Sequence, residues 1–151
     1  MSRERAHGLY SGRVSEVGRA YLVTAVTDRR RALFVDWMSG RLLVREFRSL
    51  HESRQVQSMA WVVMPDHFHW LFQLQGSSLG AVMRKVKSRS SLALNSVRGE
   101  TGRVWQKGYH DQAVRQEDDV RCIARYIVNN PIRAGLVTRV GDYPLWDAMW
   151  L

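Results

Sequence analysis

The stretch AWVVMPDHFHWLFQLQ, from Ala60 to Gln75, has the pattern of a β-hairpin. Its first residues are apolar, and Pro65-Asp66 follows as a turn, because proline fixes φ and aspartate bonds the nearby backbone. After the turn, apolar and mostly polar residues alternate with the period of a strand, so the two sets face opposite sides of a sheet. The wholly apolar set predicts a core face: Phe68, Trp70, Phe72 and Leu74.

His67 and His69 belong to the other set and project from the same face of the predicted strand. Two imidazoles so placed can hold one metal ion, provided that another part of the chain supplies a third ligand. The alternative is a pair of half-exposed strand histidines. The metal interpretation is favoured because the opposite face is already a complete apolar stripe, so packing does not require these histidines.

The elements predicted around the hairpin give the order β-α-β-β-α-β-α. They are a strand at 20–27, a helix from Asp36 to about Leu50, the hairpin, a helix capped at Ser77 or Ser78, a strand at 104–115 with a bulge at Gly108, and a helix from 117 to Pro131. Helices that cross between strands of one antiparallel sheet form the ferredoxin-like pattern. We therefore predict an α+β, ferredoxin-like (RRM-like) antiparallel β-sheet flanked by helices, with one covered and one open face.

The length of 151 residues predicts a single domain, 1–151, with a basic N-terminal arm at 1–19 and a C-terminal tail at 138–151 that docks on the body. The lone cysteine, Cys122, excludes an internal disulfide and a cysteine-based zinc cluster. No stretch approaches the length of a membrane span, and the polar start lacks the apolar region of a signal peptide. We therefore predict no membrane partner and a cytoplasmic location.

The charge balance, 23 Lys and Arg against 14 Asp and Glu, leaves a net charge of +9. A small domain this basic suggests a polyanionic partner, nucleic acid before membrane. The helix after the hairpin mixes basic residues with serines, which suits phosphate contacts, although a solvated face is the alternative. The residues predicted to bind DNA are Arg3, Arg5 and Arg13 of the arm, Arg84, Lys85, Lys87 and Arg89 of this helix, and Arg115.

The final predicted helix carries Tyr126 and Asn130 four residues apart, on the same helical row as Cys122. A tyrosine oxygen can act as a covalent nucleophile, and an amide oxygen can bind a divalent metal. The alternatives are an amphipathic tyrosine at the core edge and an Asn130-Pro131 pair that caps a further helix.

Several blocks of the chain resemble the REP-associated tyrosine transposases, a bacterial group of HUH-type single-tyrosine transposases related to insertion-sequence transposases. The blocks are SEVGRAYLVTAVTDRR, WVVMPDHFHWLFQL, VWQKGYHDQAVR, ARYIVNNPIRAGLV and GDYPLWDAMW, which occur in the expected order and cover most of the chain. Each block alone is weakly specific, but together they are highly specific.

The resemblance implies a role for individual residues. His67 and His69 match the paired histidines of the HUH motif, and Tyr126 matches the single catalytic tyrosine. Asn130 matches the polar residue that completes the site for a divalent metal, Mg or Mn. Gln112 departs from the pattern, because a second histidine is expected after Asp111; this position is not one that we assign to metal or nucleophile.

The activity that the resemblance implies is that of a metal-dependent single-strand DNA endonuclease and strand transferase. Tyr126 would form a 5′-phosphotyrosine and release a free 3′ hydroxyl, on hairpins of repetitive extragenic palindromes (REP). The implied partner is single-stranded or hairpin DNA, and the implied assembly is a monomer or a homodimer.

Three other interpretations compete with this one. A non-catalytic nucleic-acid-binding module on a ferredoxin-like sheet would explain the charge and the aromatic residues, but not the combination of His67, His69, Tyr126 and Asn130. A metal-dependent hydrolase of a small substrate would leave the charge of +9 without a use. A domesticated transposase that binds without cleaving is disfavoured because Tyr126 is retained.

Overall fold

Strand β3 (His67–Leu74) lies at the centre of an antiparallel sheet in the computed structural model, which describes residues 17–149. The elements in this range are β1 (Ala20–Val26), α1 (Trp37–Glu52), β2 (Val56–Met64), β3, α2 (Leu79–Arg98), β4 (His110–Val114), α3 (Glu117–Val128), α4 (Asn130–Arg133) and β5 (Trp146–Ala148). The described strands are ordered β4-β1-β3-β2-β5. The order β4-β1-β3-β2 within this sheet confirms the predicted α+β, ferredoxin-like fold. The predicted arm residues Arg3, Arg5 and Arg13 lie outside the described part of the chain.

The apolar face of β3 forms the core against α1, as the alternation predicts. Phe68, Trp70 and Phe72 are fully buried. The ring of Phe47, from α1, lies 4.4 Å from that of Trp70 and 5.0 Å from that of Phe68, measured between centroids. Aromatic rings at these separations attract one another in addition to burying apolar area, so they fix α1 against the sheet.

The opposite face of β3 is also partly covered, and the prediction of an open face is wrong in that respect. Leu71 and Val62, which lie on this face, are fully buried. Helix α3 packs against β2, β3 and β5 and buries Ile127. The apolar side chains of α3 pack on this face of the sheet, mainly against β2. The histidine pair therefore shares its face with the helix that carries Tyr126.

The starts of the helices follow the predicted capping residues. Asp36 Oδ1 accepts a hydrogen bond from Met38 N at 3.1 Å and caps α1, while Ser78 Oγ accepts one from Ala81 N at 3.1 Å and caps α2. Helix α2 ends at Gly99, whose φ of 64° is accessible to glycine at little cost.

The fourth strand is shorter than the predicted 104–115. The ladder with β1 contains 110–114, and before it Trp105 makes an isolated bridge with Thr27. The Lys87 ammonium donates to the carbonyls of Gln106 and Gly108, which holds this segment against α2 instead of in the ladder. Gly108 has a φ of 78° and forms part of this turn, so it is not a bulge within the strand.

The tail docks on the body and adds β5 beside β2, as its apolar residues suggest. The Tyr143 hydroxyl donates to Val63 O at 2.5 Å, and burial raises the pKa of Tyr143 to about 12. Leu145 packs so closely on Gly40 that a Cβ at this position would lie 2.4 Å from Leu145 Cδ1. Glycine in the first turns of α1 therefore permits the tail to approach.

No helix between residues 17 and 149 combines the length and the apolarity that crossing a bilayer requires.

Candidate active site

The side chains of His67 and His69 lie next to each other on one face of β3, as predicted. Their ring centroids are 5.0 Å apart and the rings are inclined by 77°. Both side chains are partly buried, and β1 and β2 flank the pair on either side. The strand period thus places two imidazoles at one location on the sheet.

His67 is oriented by a carboxylate. Its Nδ1 lies 2.7 Å from Asp66 Oδ1, and Asp66 Oδ2 accepts a hydrogen bond from Arg30 Nη1 at 3.0 Å. Burial would raise the pKa of Asp66, but the hydrogen bonds from His67 and Arg30 outweigh it and lower that pKa below the ordinary value. An ionised Asp66 favours a proton on His67 Nδ1 and so leaves the lone pair on Nε2.

His69 is oriented by a hydroxyl. Its Nδ1 lies 2.7 Å from Thr24 Oγ1, on the neighbouring strand β1. Burial, followed by the charges of His67 and Arg133, lowers the pKa of His69 to about 4. The ring is therefore neutral at physiological pH, which is the state in which an imidazole binds a metal.

These contacts fit the donor set of a metal site. Both Nδ1 atoms have partners within the fold, as in metal-binding histidines whose second nitrogen is held by a carboxylate or another oxygen. Both Nε2 atoms remain for a ligand. Among residues 17–149, no three His, Cys, Asp or Glu side chains converge on one point. A third protein ligand on this face would therefore be of another class, such as an amide.

Tyr126 lies near the end of α3 with 57% of its surface exposed. The guanidinium carbon of Arg133 sits 3.7 Å from the centroid of its ring, and Arg133 Nη2 donates to the Tyr126 carbonyl at 2.5 Å. A cation over the ring face is attracted by the ring quadrupole, so Arg133 holds the phenol in place. The charge of Arg133 is also one of the causes that lower the pKa of His69, after burial and the charge of His67.

Asn130 begins α4 and is partly buried. Helix α3 ends before Asn129 and α4 begins after it. Tyr126 and Asn130 therefore do not lie on one continuous helix, as their predicted position on a single helical row requires. Within the described residues, Asn130 makes no hydrogen bond with either histidine. The structure thus places Tyr126 on the helix that packs against this face of the sheet and Asn130 at the start of the next helix, and it does not join Asn130 to the histidine pair.

The residues predicted to bind DNA have different surroundings. Arg84 and Arg89 are exposed and Lys85 is partly exposed on α2. Arg115 lines a hollow of about 700 Å³ beside the start of β1. Lys87 differs, because its ammonium is committed to two loop carbonyls, and burial, together with the charge of Arg103, lowers its pKa to about 8.

Three residues at the site were missing from the sequence prediction: Thr24, Asp66 and Arg133. Asp66 directly precedes the histidine pair, so the sequence DHFH itself suggests a carboxylate partner. Thr24 is identified only by the pairing of β1 with β3. Arg133 follows Pro131, and its return toward Tyr126 depends on the turn at Asn129.

Comparison with known proteins identifies a family and individual relatives. The family model described as "Transposase IS200 like" matches residues 17–130. A REP-associated tyrosine transposase of Escherichia coli strain K12 is 29% identical over 114 residues, which are 70% of this chain and 66% of that protein, so the chain spans slightly less than two thirds of its length.

Solved structures show the same fold. The structure of a REP-associated tyrosine transposase bound to a REP hairpin matches with a TM-score of 0.73 at 26% identity, and the match covers 97% of this chain and 82% of that one. A chain from Deinococcus radiodurans R1 matches with a TM-score of 0.54 at 21% identity, over 85% of this chain and 97% of its own. Because the family model matches most of the sequence, including β3 and α3, the chain belongs to the IS200-like transposase family.

Proposed function

We propose that this chain cleaves and rejoins single-stranded DNA next to a REP hairpin, with Tyr126 as its nucleophile. The phenolic oxygen attacks the scissile phosphorus, the new bond is a 5′-phosphotyrosine, and the bond to the 3′ oxygen breaks. That oxygen leaves as a 3′ hydroxyl after taking a proton. Attack by another 3′ hydroxyl reverses the step and joins two ends without an external energy source.

The observation that carries this proposal is the position of Tyr126. Its ring is exposed on α3, the helix that packs on the face of the sheet carrying the histidines, and the guanidinium of Arg133 lies over the ring. A tyrosine retained only for packing would bury its ring, as Tyr21 and Tyr109 do. The hairpin specificity rests on similarity, because the E. coli relative is named a REP-associated transposase and the matching structure is of such a protein bound to a REP hairpin.

Membership of the family implies a metal-dependent nuclease, and we propose that His67, His69 and Asn130 hold the divalent ion, Mg or Mn. When bound, the ion would withdraw charge from the scissile phosphate. Asp66 and Thr24 keep the two imidazoles oriented with Nε2 free. Nitrogen ligands favour Mn over Mg in intrinsic affinity.

The positive charge of the chain would hold the DNA backbone. We propose that Arg84, Lys85, Arg89 and Arg115 contact phosphates, together with the arm residues Arg3, Arg5 and Arg13. Lys87 acts indirectly in this proposal, by anchoring the loop before β4. A cytoplasmic location and a monomeric or homodimeric state remain predictions.

The substitution Tyr126→Phe tests the proposal. The parent protein is incubated with single-stranded hairpin oligonucleotides from repetitive palindromes and with Mn, and a denaturing gel then shows a protein–DNA adduct. Tyr126→Phe should form no adduct and no nick, although it should bind the same DNA as the parent does. The control Tyr109→Phe should cleave normally.

The outcomes separate the competing functions. Cleavage by Tyr126→Phe would mean that water or another tyrosine attacks, and the assignment would change to a metal-dependent nuclease. Binding without any cleavage by the parent would favour the non-catalytic module. Excess Mn should partly restore cleavage to His69→Ala, which lacks a ligand, but not to Tyr126→Phe, which lacks the attacking atom.

A further inference from the structure

A groove separates α1 from the β5 edge of the sheet, on the side of the sheet that α1 covers. One hollow of about 420 Å³ is lined by Trp37, Arg41, Arg45, Arg48 and Trp61, among others. A second hollow of about 410 Å³ shares Arg48 and Trp61 with the first, so the two form one continuous groove. His67 and His69 lie on the other face of the sheet, and the function proposed above does not use the groove.

Three arginines form one wall of the groove. Arg41, Arg45 and Arg48 are spaced four and three residues apart, so they lie along one side of α1 and span about 10 Å of helix length. All three are exposed, and none forms an ion pair with any residue in the range 17–149. The carboxylate of Asp147 also lines both hollows, but one negative charge against three arginines leaves the groove positive, and such a row of charges matches a chain of phosphates.

Two tryptophans line the groove together with the arginines. Trp37 is the first residue of α1, one turn before Arg41, and 58% of its surface is exposed. Trp61 lies on β2 at the base of both hollows, and its ring centroid is 5.9 Å from that of Phe47. Aromatic side chains beside a basic row are the usual means by which proteins bind single strands without reading sequence, because every base can stack on a ring.

The size of the hollows distinguishes single-stranded from duplex DNA. A volume of about 420 Å³ falls within the range of small-molecule sites, so it can admit an unstacked base. Paired bases inside a duplex cannot enter such a hollow. A second copy of the chain is a poor occupant, because a symmetric contact would place two rows of three arginines against each other.

We propose that the groove between α1 and β5 binds the single-stranded DNA that flanks the hairpin, with phosphates on Arg41, Arg45 and Arg48 and bases stacked on Trp37 and Trp61. The proposal rests on the DNA-binding part of the function proposed above. It adds a second contact region, separate from Tyr126, α2 and the N-terminal arm. The groove would then determine how strongly the flank contributes to affinity.

The test compares three labelled probes by fluorescence anisotropy: a blunt hairpin, the same hairpin with a single-stranded flank of about 12 nucleotides, and the flank alone. The parent should bind the flanked hairpin more tightly than the blunt one. The variant Arg41→Gln, Arg45→Gln and Arg48→Gln should lose this difference while it binds the blunt hairpin as the parent does. For binding of the flank, the slope of log K against log salt concentration should become shallower by about 2, because three phosphate contacts are lost.

A charge-matched control replaces three exposed arginines outside the groove, Arg54→Gln, Arg98→Gln and Arg139→Gln, and should retain the effect of the flank. The exposed ring is tested by Trp37→Ala, which should weaken binding of the flank by about 5- to 150-fold, whereas Trp37→Phe should keep most of it. Because Trp37 is exposed, both variants are expected to fold, and thermal unfolding checks this.

The possible failures are distinguishable. If the parent binds no DNA, the proposed function fails. If the parent favours the flanked hairpin and the groove variants do so equally, the groove proposal is overturned while the proposed function stands. A flank that adds no affinity to the parent also overturns it. If the groove variants change the molecular mass in size-exclusion chromatography and leave the effect of the flank intact, the groove is a protein interface.

Discussion

Replacing Arg133 with alanine should slow cleavage by removing the contacts that hold Tyr126 in place. The guanidinium lies 3.7 Å from the ring centroid and donates to the backbone carbonyl of the same residue. Without it, the phenol can rotate away from the histidine face and spends less time where it can attack. DNA binding at α2 should be unaffected, because the change is confined to α4.

The size of the effect follows from the two contacts. A cation over an exposed ring contributes about 0.5–1 kcal/mol, and more than half of Tyr126 is exposed. The hydrogen bond to the carbonyl adds about as much again once its exposure is allowed for. The sum, about 1–2 kcal/mol, corresponds to a rate that is about 5- to 30-fold lower.

The assay is adduct formation under single-turnover conditions, with protein in excess over a labelled hairpin. Arg133→Lys tests the mechanism, because lysine keeps the charge but loses the planar group that stacks on the ring. We expect it to remain slow. Arg121→Ala, an exposed arginine on α3, is the matched control and should cleave at the parental rate.

Two results would refute this reasoning. A parental rate in Arg133→Ala would mean that the clamp does not position Tyr126. A loss far beyond 30-fold, restored by lysine, would mean that Arg133 acts as a charge on the phosphate and that orienting the ring is secondary.

Three further predictions concern the site and the tail. Asp66→Asn removes the carboxylate that orients His67 and should weaken Mn binding by about 10- to 100-fold, measured by calorimetry; unchanged affinity would remove Asp66 from the site. Unfolded His69 takes up a proton below about pH 6.5, whereas the folded residue does so only near pH 4. The metal-free protein should therefore lose about 2–3 kcal/mol of stability as pH falls from 6.5 to 4, and His69→Gln should lose less. Tyr143→Phe should lower stability by about 1 kcal/mol, or the melting temperature by about 3 °C, and an unchanged melting curve would contradict the bond to Val63.

The hairpin and the helix starts could be predicted because their causes are local. Alternation along β3 assigns its two faces, and Asp36 and Ser78 cap the helices that follow them directly. Local patterns also identified His67 and His69 as neighbours, since the period of a strand is independent of the rest of the fold.

The rest depends on contacts between distant residues. The sequence does not show that α3 covers the histidine face, although the apolar Leu71 among the polar positions of β3 was a sign that this face is partly buried. The shortened β4 follows a loop that is held by Lys87, about twenty residues earlier on α2. The clamp of Arg133 on Tyr126 requires the turn at Asn129, which no periodic pattern predicts.

Strand β5 has a consequence for how the molecule avoids association with itself. A sheet edge with free N–H and C=O groups can pair with the same edge of another molecule. Residues Ala60–Val62 of β2 would present such an edge, with Val62 and Trp61 as apolar neighbours, if β5 did not pair with them. The three residues of β5 are a short edge in their own right, and Asp147 at their centre adds a negative charge. The tail thus replaces an apolar edge that could seed aggregation with an edge that carries a charge and resists it.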